Sequence, residues 1–170
     1  MNKMNIMKNK DNIILDVCCG SRMFWFNKKH PNALYIDNRT MAPKRQTNGA
    51  VIAVAPDRVM DFRHLDLPNE QFSIVVFDPP HILKRGGKNS WMKEKYGELD
   101  RMTWRDDLRR GFVECFRVLK PAGVLIFKWS EFDIPLREIL GLTPVQPLFG
   151  HRSGKAAKTH WITFMKLPLL

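Results

Sequence analysis

Apolar residues along the chain fall in short runs separated by polar turns, and one stretch alone carries a helical period. Residues 13–17 form an apolar run interrupted by Asp16 and end in Cys18-Cys19-Gly20-Ser21, a strand followed by a turn. Ala33-Leu34-Tyr35-Ile36-Asp37 reads as a second strand closing on an acid. Residues 51–55 read as a third, broken by Pro56 and Asp57-Arg58. Ser73-Ile74-Val75-Val76-Phe77 and Val124-Leu125-Ile126-Phe127 are apolar throughout, as in strands buried on both faces. Residues 161–165 form the last strand. Between the two buried strands, Trp104, Leu108, Phe112, Cys115, Phe116 and Leu119 share one face of a 3.6-residue period, which predicts a helix. Thr103 with Asp106 resembles a capping box at its start, and Lys120-Pro121-Ala122-Gly123 stops it. Strand, loop, helix, strand is a parallel crossover. The pattern therefore predicts an open, mostly parallel α/β sheet that binds ligands at the carboxyl ends of its strands.

That rule selects the residues with chemistry. The carboxyl ends carry the Cys18–Ser21 turn, Asp37-Asn38, Asp61-Phe62, Asp78-Pro79-Pro80-His81 and Trp129-Ser130-Glu131. Asp16 and Asp37 stand 21 residues apart, near the ~20 expected between a nucleotide-binding first turn and the acid that holds a ribose. The glycine signal is thin, since Gly20 is the one glycine in that turn. Asp78-Pro79-Pro80-His81 is sharper. Two prolines fix two φ angles and remove two N–H donors, leaving carbonyls free beside a carboxylate and an aromatic ring. Such a cluster of acceptors suits a planar ring bearing an exocyclic NH2; the plainer reading is a proline pair that ends a strand.

Composition narrows the class. At 170 residues the chain fits one domain, with residues 1–11 read as a flexible tail. Lys and Arg number 28 against 17 Asp and Glu, a formal charge of +11, which points to a polyanionic partner, most often nucleic acid. Three cysteines without a CxxC pair argue against a disulfide framework or a cysteine-rich zinc site, and the five histidines show no metal spacing. No apolar run approaches the roughly 20 residues of a membrane span, and residues 1–10 lack the apolar stretch of a secretory signal. A cytoplasmic protein, in a bacterium or a phage-infected cell, is the expectation. Residues 82–103 are long for a connection and mix Lys84, Arg85, Lys88, Trp91 and Tyr96 beside the candidate pocket, the makeup of a substrate loop with phosphate contacts and stacking platforms. His151, Arg152, Lys155 and Lys158 lie in a second basic segment that reads as a hairpin turn between the last two strands.

The stretches ILDVCCGSRMFWF, LYIDN, MDFRHLDLPNEQFSIVVFDPPH, RVLKPAGVLIFKWSE and GHRSGKAAKTHWITFMK together resemble the class I S-adenosylmethionine-dependent methyltransferases. The likeness is to the amino-methyltransferases with a [D/N/S]-P-P-[aromatic] motif, of the small phage and prophage type, and it covers most of residues 13–166. The resemblance implies a Rossmann-like sheet with a C-terminal antiparallel hairpin and S-adenosylmethionine as cofactor. Asp16, Cys18, Cys19, Gly20 and Ser21 would form the turn under the methionine part, Asp37 would hold the ribose, and Asp61 with Phe62 would hold the adenine. Asp78, Pro79, Pro80 and His81 would hold and orient the target amine, with His81 stacking on a flipped or single-stranded base. The implied reaction is methylation of an exocyclic base nitrogen, with adenine N6 preferred and DNA favoured over RNA as the partner. An RNA or protein-amide methyltransferase, or a nucleic-acid-binding module on the same fold, are the rivals. The chain departs from the family pattern at two places. Cys18 and Arg22 stand where D-x-G-x-G-x-G has its outer glycines, and His81 stands where Tyr, Phe or Trp is usual.

Overall fold

The computed structural model describes residues 12–46, 49–84, 91–143, 145–152 and 158–168. Residues 1–11, expected as a tail, lie outside the described residues. In chain order the strands are β1 (Ile14–Asp16), β2 (Ala33–Asp37), β3 (Met41–Arg45), β4 (Val51–Val54), β5 (Arg58–Val59), β6 (Phe72–Phe77), β7 (Leu119–Ser130), β8 (Phe149–Arg152) and β9 (Thr159–Met165). The helices are α1 (Trp91–Tyr96), α2 (Trp104–Val118) and α3 (Leu136–Leu140). Seven strands make one sheet in the order β5-β2-β1-β6-β7-β9-β8. All pairings from β5 to β7 are parallel, and β9 runs antiparallel to both β7 and β8. This is the mostly parallel sheet with a C-terminal antiparallel hairpin that the sequence predicts, the architecture of class I methyltransferases.

The core lies between the sheet and α2. Leu15, Val75, Leu125 and Phe164 stand side by side across four strands, with Phe77, Phe127 and Ile162 in the next such row. Leu108, Phe112 and Cys115 of α2 are fully buried against them. Burial of each large side chain contributes roughly 1.5–3 kcal/mol. Gly111 sets the closeness of this contact, because a Cβ there would meet Phe62 and Phe77 at 2.7 Å. The helix gives up about 1 kcal/mol of propensity at that glycine and gains direct contact with Phe62.

Several local expectations are corrected. Residues 51–55 do not enter the main sheet: Val51–Val54 pairs with Met41–Arg45 in a separate two-stranded hairpin, and the short Arg58–Val59 takes the edge beside β2. Thr103 makes no capping bond; its hydroxyl donates instead to Asp107 at 2.7 Å, and Asp107 also accepts from Arg63 at 3.1 Å. The helix stops at Val118, one residue short of Leu119. The chain then runs straight into β7, where Ala122 takes a left-handed φ of 60° at an irregularity in the pairing with β6. The 82–103 segment is not one open loop, since it contains α1 and is closed at its base by a bridge between Leu83 and Leu99. Among the described residues no helix is long and apolar enough to cross a membrane.

Candidate active site

A cleft of about 400 Å³ opens at the carboxyl ends of β1, β2, β6 and β7, within the range of small-ligand sites. Its floor on one side is the turn after β1. Gly20 has φ +47°, and a Cβ built there would meet nothing within 4 Å, so the backbone faces open space where a ligand can approach closely. Cys18, Cys19 and Ser21 line the cleft with it. Both thiols are poor nucleophiles: burial pushes Cys19 up to about 12 and raises Cys18 well above its usual range.

Arg22, at the last glycine position of the motif, also adopts a left-handed backbone, with φ 51°. Its side chain ties this turn down. The guanidinium donates to the carbonyls of Lys28 (2.7 Å) and Ala55 (2.8 Å), pairs with Asp57 at 3.2 Å and sits 3.7 Å over the Tyr35 ring. A tethered arginine thus holds a conformation for which glycine needs no tether.

Asp37 closes β2 in the cleft wall. Its carboxylate accepts from the Gly20 N–H at 3.0 Å and from the Arg39 backbone and Nε at 3.0 and 3.1 Å. The residue stays 4% exposed. It stands in the cleft wall with the glycine turn and the apolar Met60 and Phe62. Asp61 is displaced from the expected role: it is not part of the cleft wall, and both its oxygens accept from Arg63, at 2.9 and 2.5 Å. Those bonds hold its carboxyl below the usual range. Phe62 does line the cleft. Its loop is fixed by Glu114 and Arg117, which bond the Leu65 N–H and the Leu65 and Leu67 carbonyls.

Asp16 lies beneath the turn rather than in the cleft wall. It is fully buried. One oxygen accepts from the Trp25 indole at 2.7 Å and the other has no hydrogen-bond partner among the described residues; burial pushes the pKa up to about 7.

Across the cleft, Asp78, Pro79, Pro80 and His81 follow β6. Burial pushes the Asp78 carboxyl up and Lys128 pulls it back, with Nζ donating at 2.6 Å. The His81 ring lines the site but is largely covered, its centroid 5.1 Å from Tyr96 and 6.3 Å from Trp129. Burial pushes its pKa down to about 4, so it is neutral. Tyr96 from α1 and the half-exposed Phe132 present further aromatic surfaces at the cleft, beside Phe24 and Phe62.

The basic candidates divide. Tyr96 reaches the cleft, whereas Lys84 is exposed beyond its rim. Lys158 is exposed next to Thr159, which lines it; His151 is exposed on β8 away from the lining, and Arg152 ends the same strand. Arg85, Lys88 and Lys155 lie outside the described residues, as does the side chain of Trp91. Residues that sequence reasoning missed include Phe24, Arg39, Met60, Lys128 and Phe132. Lys128 had a legible signal, a charge between Phe127 and Trp129 directly after the apolar run Val124–Phe127.

No protein-family model and no curated protein matches the sequence. Solved structures do match the fold. An S-adenosylmethionine-dependent methyltransferase from Methanosarcina mazei superposes with a TM-score of 0.56 at 13% identity, over 91% of this chain and 92% of that one. A Pyrococcus horikoshii OT3 protein gives 0.57 at 15%, over 90% and 81%. The Burkholderia thailandensis 1,6-didemethyltoxoflavin-N1-methyltransferase, solved with that compound and S-adenosylhomocysteine, gives 0.52 at 13%, over 91% and 71%.

Proposed function

We propose that the protein is an S-adenosylmethionine-dependent methyltransferase acting on the exocyclic amino group of a nucleic-acid base, adenine N6 in DNA first. The observation that carries this reading is one cleft joining the open Gly20 turn and Asp37 to Asp78-Pro79-Pro80. The first half fits the cofactor. Gly20 and its neighbours would pass under the methionine portion, Asp37 would accept from the ribose hydroxyls, and Met60 and Phe62 would flank the adenine. When bound, the cofactor supplies an electrophilic sulfonium methyl.

The second half fits the acceptor. An exocyclic base nitrogen is a poor nucleophile because its lone pair is delocalised into the ring. The Asp78 carboxylate and the Pro79 carbonyl hold its two protons and favour a tetrahedral nitrogen whose lone pair faces the methyl. Once the nitrogen has gained the methyl, Asp78 and the Pro79 carbonyl would let one amine proton pass to solvent, leaving the methylated amine neutral. Positioning and charge placement supply the acceleration. The base must be flipped or single-stranded to enter, and Tyr96 and Phe132 would replace its lost stacking. The +11 charge supports a nucleic-acid partner. A small planar heterocycle is the second reading, favoured by the substrate named for the Burkholderia neighbour.

Incubation with labelled S-adenosylmethionine and separate DNA, RNA, protein and small-heterocycle pools tests the proposal. Label in DNA that mass spectrometry assigns to N6-methyl-2′-deoxyadenosine supports it, and label confined to another pool overturns it.

A further inference from the structure

Lys128 is an ammonium in a place where the sequence offers apolar neighbours. It stands at an even position of β7, on the sheet face opposite α2, and pairs across to Trp161 of β9. The side chain is 21% exposed, and its Nζ lies 5.8 Å from the Phe24 ring centroid and 5.9 Å from that of Trp161. Two aromatic faces at that range favour a cation and leave its stem little freedom. Among the described residues, the one carboxylate it bonds is Asp78, through Oδ2 at 2.6 Å. Among the described residues, Asp78 Oδ1 has no hydrogen-bond partner, and Asp78 and Lys128 both line the cleft. The acceptor end therefore holds a neutral ion pair with one oxygen left over.

We propose that Lys128 is a specificity-determining positioning residue, whose ammonium keeps Asp78 an anionic acceptor for a neutral planar amine and excludes amines that carry their own positive charge. This rests on reading the cleft as a methyl-transfer site. An uncompensated carboxylate in a half-buried pocket attracts a cationic amine such as a lysine side chain. Paired with Lys128, the same carboxylate presents no net charge, and a second cation would sit against the first. A neutral NH2 pays no such repulsion and needs one good acceptor plus the Pro79 carbonyl. Asp16 below, Cys18 beside the turn, and His81 with Asp133 behind it are titratable groups around this pair, and Asp37, Arg39, Lys95 and Tyr96 line the same cleft. The cation whose field and hydrogen bond act on the Asp78 carboxylate is Lys128.

The experiment compares wild type, Lys128→Met and Lys128→Arg. S-adenosylhomocysteine affinity by calorimetry reports the fold and the cofactor half, and is expected within about threefold in all three. Methyl transfer is measured to an adenine-containing single-stranded oligonucleotide and to a lysine-containing peptide. Lys128→Met should lose about 100-fold or more toward the oligonucleotide. The acid limb of its pH profile should move up by about 1–3 units. Lys128→Arg should restore most of the rate and the wild-type limb. Unchanged rate and pH profile in Lys128→Met, with wild type active on the oligonucleotide, overturns the inference and leaves the methyltransferase reading standing. Wild type preferring the peptide overturns the neutral-amine class itself. If wild type modifies neither, carboxyl NMR of Asp78, assigned with Asp78→Asn, decides: an upward titration shift in Lys128→Met supports the pairing, and an unmoved resonance overturns it.

Discussion

Each end of the cleft holds a carboxylate beside a cation, and the two pairs are built on different supports. At the cofactor end Arg39 reaches Asp37 from two residues away, is 32% exposed, and also donates to the Glu94 carbonyl of α1 at 3.3 Å. At the acceptor end Lys128 reaches Asp78 from a neighbouring strand, with its backbone paired to β9 and its ammonium beside the Phe24 and Trp161 rings. A loop arginine can be turned aside without disturbing the sheet, leaving Asp37 with the Gly20 N–H and lone pairs for hydroxyls. A strand lysine cannot leave. The first pair can therefore yield to a ligand, whereas the second is a fixed part of the site.

That contrast can be broken most severely at Asp78. Asp78→Ala should lower the methyl-transfer rate by on the order of 10³-fold while S-adenosylhomocysteine affinity stays within a few-fold. Single-turnover kinetics and calorimetry on the same preparation check it, and loss of both together would show that the two ends are not separable.

The next effect is one of pH, at the buried acid beneath both ends. Asp16 has its pKa raised to about 7, so the folded state holds a proton that the unfolded chain releases near pH 4. Its contribution to stability is complete below pH 4 and is lost as pH rises through 7. Asp16→Asn, which can still accept from Trp25, should remove that loss and gain roughly 3–4 kcal/mol on wild type between pH 4.5 and 8. Urea unfolding of both proteins at the two pH values checks it; parallel curves would mean that the acid is solvated.

Asp37→Ala should weaken S-adenosylmethionine binding by about 1–3 kcal/mol, the cost of leaving the ribose hydroxyls unpaired. Unchanged affinity in a folded variant removes Asp37 from the site. The smallest change is expected at its partner. Arg39→Ala should alter stability by about 0–1 kcal/mol, as for a partly exposed pair, and cofactor affinity by no more than about threefold. A tenfold loss would make Arg39 a ligand in its own right and erase the difference between the two ends.

The pattern of apolar residues makes β1, β2, β6, β7, β9 and α2 legible, because burial between layers enforces a period that local chemistry cannot hide. What it misses is short or exposed. Met41–Arg45 has four exposed residues of five, so no core writes a pattern into it, and α1 and α3 are too short to display a helical face. In the site, the Asp78-Pro79-Pro80 run and Asp37 were readable because backbone chemistry marks them. The engagement of Asp61 by Arg63 was not, since a carboxylate at a strand end looks the same whether it faces a ligand or a neighbouring guanidinium. Nor does a motif reveal that Tyr96 covers the His81 ring, because that depends on how α1 folds back over the cleft.

The position of β1 carries a consequence for how the protein is made. It is three residues long and lies in the sheet between β2 and β6, yet β6 begins and ends roughly 60 residues later in the chain. At ribosomal speeds of ~5–20 residues per second, β1 waits roughly 3–12 s for its second neighbour to be synthesised. Until then it has β2 alone, with three residue pairs between them. The β6-α2-β7 crossover and the β8–β9 hairpin, by contrast, are assembled from contiguous chain. The cleft, which needs the turn after β1 and the ends of β6 and β7 together, therefore closes only after β7 has been made.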